Sequence, residues 1–133
     1  MWKPYQEILN HEADFRVKYR FYSQEEGGRK KAVFQGLRTD FFYDVNDSKE
    51  GIFSATFPEF EDEHGNIILN DARPVPIEGT AKMWIVFSQM RREVHVNNIK
   101  IGMIGYFMDG PKKVAIAEII EILGLHSNAK FIK

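Results

Sequence analysis

Cysteine is absent from this chain. Disulfides, thiolate metal sites and cysteine nucleophiles are therefore excluded, and this usage suits a reducing compartment, so a cytoplasmic location is expected. No window approaches the roughly eighteen consecutive apolar residues of a membrane-spanning helix. The opening Met1-Trp2-Lys3-Pro4-Tyr5-Gln6-Glu7 lacks the apolar stretch of a secretory leader. An excess of either charge is lacking too: 18 Lys and Arg against 19 Asp and Glu give a net charge of −1. That balance argues against a dedicated polyanion binder but leaves room for a local basic patch. Internal repeats, heptads and low-complexity tracts do not occur.

What remains is ordinary globular usage: 133 residues, 44% hydrophobic and 28% charged. One domain with one core is expected at this length. The aromatic share is 14%, with 11 Phe, and aromatics suit pleated, half-buried surfaces.

The expected organisation is an N-terminal arm over residues 1–13 and a single β-barrel domain over 14–133. In the arm, Pro4 fits a first helical turn, and Tyr5, Ile8 and Leu9 share a face at helical spacing. A short helix or arm packed on the barrel is one reading; a frayed terminus is the plainer one. From Asp14 the period becomes two. Phe15, Val17, Tyr19 and Phe21 alternate with Asp14, Arg16, Lys18 and Arg20, which is the strongest strand signal in the chain. Gly27-Gly28 turns the chain. Ala32-Val33-Phe34 begins a return strand, Gly36 marks a corner, and Phe41-Phe42-Tyr43 continues until Asn46-Asp47-Ser48.

Gly51 to Phe57 reads as a strand, ending in an acidic loop, Pro58 to Asn66, with a turn at Gly65-Asn66. Two prolines, Pro74 and Pro76, forbid a central strand there. Thr80 to Phe87 alternates as a strand whose second face, with Trp84 and Val86, is also covered. Ile99, Ile101 and Met103, bent at Gly102 and Gly105, lead to Tyr106-Phe107-Met108. Asp109-Gly110-Pro111 is a turn. The run Lys113 to Leu123 mixes helix formers with β-branched residues, and the β-branched density favours strand. Six or seven strands of this spacing describe an all-β barrel or sandwich.

Two stretches carry a family resemblance. The run Phe15-Arg16-Val17-Lys18-Tyr19-Arg20-Phe21-Tyr22-Ser23-Gln24-Glu25-Glu26-Gly27-Gly28-Arg29, followed by Phe34-Gln35-Gly36-Leu37-Arg38 and Asp40-Phe41-Phe42-Tyr43, resembles the C-terminal, third β-barrel domain of elongation factor Tu. The stretch from Gly79-Thr80-Ala81-Lys82-Met83 to Phe107-Met108-Asp109-Gly110 and the closing β-branched strand is similar to the same domain. Together they cover residues 14–124. The resemblance implies a six-stranded antiparallel closed barrel that carries no chemistry. In that family the domain packs on sister domains, contacts aminoacyl-tRNA and meets the exchange factor. The matching RNA-side positions are Arg29, Lys30, Asp109 and Gly110. The chain departs from the pattern in several places. It has no Gly-Lys-Ser/Thr phosphate loop and no second barrel. Lys30 replaces a histidine, Asp40 replaces a glutamine, and residues 59–73 are longer and acidic.

Six cations, Arg29, Lys30, Lys31, Arg38, Lys112 and Lys113, form one patch if the two hairpin ends adjoin, and such a patch would bind phosphates in a salt-dependent way. Solvated turn-flanking charge is the more ordinary reading. The double glycine and Asp109-Gly110 could offer backbone N–H groups to an anion, but simple hairpin geometry explains them better. Glu59, Glu61, Asp62, Glu63 and His64 lack the spacing of a calcium loop and read as a solvated acidic loop, able to steer a basic partner. The four histidines, His11, His64, His95 and His126, are scattered, and no serine sits in a nucleophile elbow. No metal, cofactor or catalytic set is expected. Trp84, Tyr22, Tyr43 and Tyr106 are candidate contact aromatics, with Tyr43 and Tyr106 assigned to the core. The arm or a second copy would hide the apolar outer surface, so a homodimer is one possibility. The expectation is a stand-alone, non-catalytic binding module contacting a protein, an accessory or immunity-like protein. The alternatives are a tRNA- or RNA-binding module, and an enzyme with an unrecognised site.

Overall fold

The computed structural model describes residues 1–45 and 51–131. The expected turn at Asn46-Asp47-Ser48 lies outside the described residues. Six strands, β1 (Phe15–Phe21), β2 (Asp40–Asp44), β3 (Gly51–Phe60), β4 (Glu78–Ile85), β5 (Ile104–Asp109) and β6 (Lys112–Ile122), close into a barrel in the order β1-β4-β3-β2-β5-β6. Every pairing is antiparallel, with register shifts at Arg16/Val17 and at Phe107/Met108. The all-β, six-stranded closed antiparallel barrel expected from the alternation is therefore the fold.

Period-two alternation explains why it closes. Phe15, Val17, Tyr19 and Phe21 on β1, Phe41 and Tyr43 on β2, Phe60 on β3, Ala81 and Met83 on β4 and Phe107 on β5 all point inward and are buried. Their rings contact edge to face or tilted, such as Tyr19 against Phe60 at 5.1 Å between centroids. Each such pair adds about 0.5–1.5 kcal/mol beyond its burial. Large rings need small partners opposite. A Cβ on Gly105 would fall 2.2 Å from the Phe41 ring, so the bare backbone of β5, with Ala115 and Ala117 on β6, makes the room.

Several local expectations are corrected. β3 runs on through Pro58 to Phe60, with Pro58 opposite Met83. Residues 32–34 form no strand; Phe34 makes a single bridge to Pro74. β4 ends at Ile85, leaving Phe87 59% exposed. Residues 99–103 turn before β5 begins at Ile104. Glu59 and Glu61 are not solvated but are 1% and 2% exposed. Glu59 accepts the indole N–H of Trp2 (2.8 Å), the backbone N–H of Tyr5 (2.9 Å) and the indole N–H of Trp84 (3.1 Å). Glu61 accepts from Arg16 Nε at 2.7 Å. A buried carboxylate is tolerable because its lone pairs are satisfied in this way. The N-terminal segment carries a helix, Tyr5–Leu9. It meets the barrel through Trp2 and Tyr5, while Ile8 and Leu9 stay exposed.

Two helical pieces were not anticipated. Residues 88–98 run as Ser88–Met90, a π-helical turn Arg91–His95 and Val96–Asn98, and Leu125–Phe131 forms a terminal helix. The first plugs one end of the barrel. Arg91 Nε donates to Asp14 Oδ1 (2.8 Å), and Arg91 Nη2 donates to the Ile85 carbonyl (2.7 Å). Asp14 also accepts from the Ile85 N–H (2.8 Å) and from Asn128 Nδ2 of the terminal helix (2.9 Å). Beside it, His95 Nδ1 is bonded to the Tyr43 hydroxyl (2.7 Å) and His95 Nε2 to Ser54 Oγ (2.8 Å), which in turn reaches Thr56 Oγ1 (3.0 Å).

Two outcomes follow from this plug. Arg91→Leu strands the Asp14 carboxylate in the interior and is expected to cost about 3–5 kcal/mol in urea unfolding, with Asp14→Asn recovering part of the loss. Burial holds His95 down at about 4 against an ordinary 6.5. The unfolded chain therefore binds the proton first, so stability is full above pH 6.5 and falls as the pH drops towards 4. The loss is about 3 kcal/mol. Urea midpoints across that window should fall less in His95→Gln than in the wild type.

Candidate functional site

The opposite end of the barrel is built by the turn after β1. Gly28 is buried there, and a Cβ would sit 2.0 Å from the Tyr22 carbonyl oxygen. Only glycine allows this approach. The Gly28 N–H donates to the Ser23 carbonyl (2.8 Å), and the Gly28 carbonyl accepts from Lys112 Nζ (3.1 Å). Glu26 fixes the turn from outside. Its carboxylate accepts from Arg20 Nη1 (2.9 Å) and from the Ser23 N–H (3.0 Å). These bonds, the one from Arg20 foremost, hold its pKa down at about 2.

The turn delivers Arg29, Lys30 and Lys31 to a cavity of about 450 Å³. Its apolar lining comes from Phe21, Val33, Pro74, Val75 and Ile77. Two irregular segments meet there, tied by the Val75 N–H on the Val33 carbonyl (2.8 Å). A second cavity of about 260 Å³ is lined by Arg29, Arg38, Thr39, Asp40, Phe57, Met108, Asp109 and Gly110. There the Arg38 guanidinium lies 5.8 Å from the centre of the Phe57 ring. Arg29 belongs to both cavities. Its Nε is buried and meets no hydrogen-bond acceptor among the described residues.

Of the eight residues singled out in the sequence, seven gather here. Arg29, Lys30 and Lys31 line the larger cavity; Arg38, Asp109 and Gly110 join Arg29 in the smaller; Lys112 reaches the turn itself. Lys113 stands apart. Its Nζ lies 3.9 Å from the Tyr106 ring centre and 5.6 Å from that of Phe42, on the outer wall of the barrel. Tyr106 is thus a half-buried outer residue and not part of the core, whereas Tyr43 is fully buried and Trp84 is covered by the arm. Sequence reasoning missed Val33, Val75 and Ile77, which supply the apolar wall. Isolated β-branched residues beside prolines and a basic turn were the only signal.

The hydroxyl–imidazole contact of Ser54 and His95 has the pairing of a nucleophile and its base. Here His95 is fully buried and Ser54 nearly so, and each polar atom is engaged with a neighbour. The arrangement stabilises the plug. No group of three or more His, Asp or Glu that could hold a metal ion occurs among the described residues. No helix among them is long and apolar enough to cross a membrane. No model of a known protein family matches the chain, and no curated protein matches it.

The turn geometry gives a direct test. Gly28→Ala forces the chain away from the Tyr22 carbonyl and should destabilise by about 1–3 kcal/mol. Thermal and urea unfolding measure it; an unchanged midpoint would show that the close approach is not needed.

Proposed function

We propose that this protein is a non-catalytic binding module whose cationic barrel end docks an acidic protein partner. One observation carries the reading. Arg29, Lys30, Lys31 and Arg38 cluster around two adjoining cavities, and none of them pairs with a carboxylate among the described residues. Unpaired cations around a concave apolar surface favour an acidic partner, steering its approach and fixing its register. The resemblance to the third domain of elongation factor Tu supports a contact role without chemistry, in a cytoplasmic accessory or immunity-like protein.

An RNA-binding reading has its own support. Phe53, Phe42 and Tyr106 stand opposite one another on adjacent strands of the outer wall, with Lys113 beside them. Such a row suits base stacking. Two features weigh against it: Lys113 already lies close to the Tyr106 ring, and Asp40 and Asp109 in the smaller cavity repel phosphates.

Capture from lysate with the wild type and with Arg29→Glu/Lys30→Glu/Lys31→Glu tests the reading. A specific protein partner should be retained by the wild type at micromolar concentration and lost with the charge-reversed variant. Equal retention by both removes the proposal. Retention of tRNA at low salt that falls with salt, and weakens in Lys112→Glu/Lys113→Glu, would install the RNA reading instead.

A further inference from the structure

We infer that the two cavities joined at Arg29 form one bipartite groove, which reads a partner segment carrying a large apolar side chain next to a carboxylate. The inference rests on the protein-binding reading and says what the bound segment looks like. The larger cavity, about 450 Å³, falls in the size range of ligand pockets. Phe21, Val33 and Val75 in its wall are each 7–8% exposed, and Ile77 at its edge is 72% exposed. A Leu- or Phe-sized side chain seated there would cover Ile77 and extend the barrel core outward. Lys30, Lys31 and Arg29 share that lining, so an apolar residue enters with acidic neighbours.

Arg29 joins the two halves. Its Nε–H is out of solvent and without an acceptor. A buried donor left unpaired is unfavourable, and the loss is recovered when an acceptor arrives. The carboxylate next to the apolar anchor supplies one, and a guanidinium suits it because the planar fork binds both oxygens. The chain then continues past Arg29 into the smaller cavity. Arg38 and the Phe57 ring flank one side there, while Asp40 and Asp109 limit the negative charge that can follow. Charge alone would accept any polyanion. The apolar wall beside Arg29 selects for the mixed segment.

The test uses fluorescein-labelled decapeptides and the full chain: one alternating Glu and Leu, one with every Leu replaced by Ala, one with every Glu replaced by Lys. Anisotropy measures affinity, and the Arg29 Nε–Hε resonance is followed by NMR during titration. The Glu/Leu peptide should bind and shift that resonance. The Ala peptide should bind about tenfold more weakly or worse, and the Lys peptide should not bind. Arg29→Gln and Ala32→Trp, at exposed or half-exposed positions of the groove, should each weaken binding by about tenfold without lowering the melting temperature, while Lys113→Gln should leave it unchanged. No binding of the Glu/Leu peptide, equal binding of the Ala peptide, or indifference to Ala32→Trp overturns the groove. Leucine-independent peptide binding with a charge-sensitive protein capture would remove the groove and leave the protein-binding reading standing. Failure of the capture alone removes that reading.

Discussion

The structure turns on one buried carboxylate. Asp14 lies just before β1 and is inaccessible to solvent, yet it accepts hydrogen bonds from Arg91, from the Ile85 backbone and from Asn128. Three segments distant from it in sequence thus converge on two oxygens at the entry to β1: the end of β4, the plug after it and the terminal helix. Charges taken out of water are tolerated only where partners replace the lost hydration. The convergence therefore fixes position as well as energy, because any displacement of the plug uncovers Asp14. His95, one turn further along the same plug, is held neutral by burial and closes the barrel against Tyr43 and Ser54.

The two ends of the barrel are finished differently. At the plugged end the polar groups of the Asp14 and His95 networks are engaged with one another. At the opposite end the chain is shaped by a glycine turn, the segment that follows it and the loop that carries Pro74 and Pro76, which bring cations beside an apolar wall. Rigidity there comes from the Arg20–Glu26–Ser23 bonds and from the contact of Lys112 with Gly28. A pre-set turn lowers the ordering entropy that binding would otherwise have to offset.

The barrel was legible because its strands announce themselves by alternation. β1 shows four inward aromatics and aliphatics against three cations, Arg16, Lys18 and Arg20, and β6 is dense in β-branched side chains. The plug was illegible for the opposite reason. Its inward residues, Arg91 and His95, sit four apart, as an apolar stripe on a helix would, but they are polar. Hydrophobic periodicity cannot see a helix whose buried face is hydrogen-bonded instead of apolar. Glu59 and Glu61 misled in the same way. Within an acidic run they read as solvated charge, and their partners Trp2, Trp84 and Arg16 lie far off in sequence. The cationic turn was readable from Gly27-Gly28-Arg29, whereas the apolar wall was not, since Val33 and Val75 come from segments without period.

The near-neutral total charge does not say where the charges lie. A net charge of −1 argues against a dedicated polyanion binder but leaves room for a local basic patch. Four acids are taken up by partners within the fold. Asp14 and Glu61 are buried against arginines, Glu59 is buried under two indoles and a backbone N–H, and Glu26 is bound to Arg20. Three of these four acids pair with Arg91, Arg16 and Arg20, the last pair within the lining of the larger cavity. None is spent on Arg29, Lys30, Lys31 or Arg38. Arg29, Lys30, Lys31 and Arg38 are thus without an ion pair among the described residues, and their charge acts on whatever approaches the groove. A balanced sequence thus still holds a local basic cluster, because the turn after β1 brings Arg29, Lys30 and Lys31 to one cavity without a carboxylate paired to them.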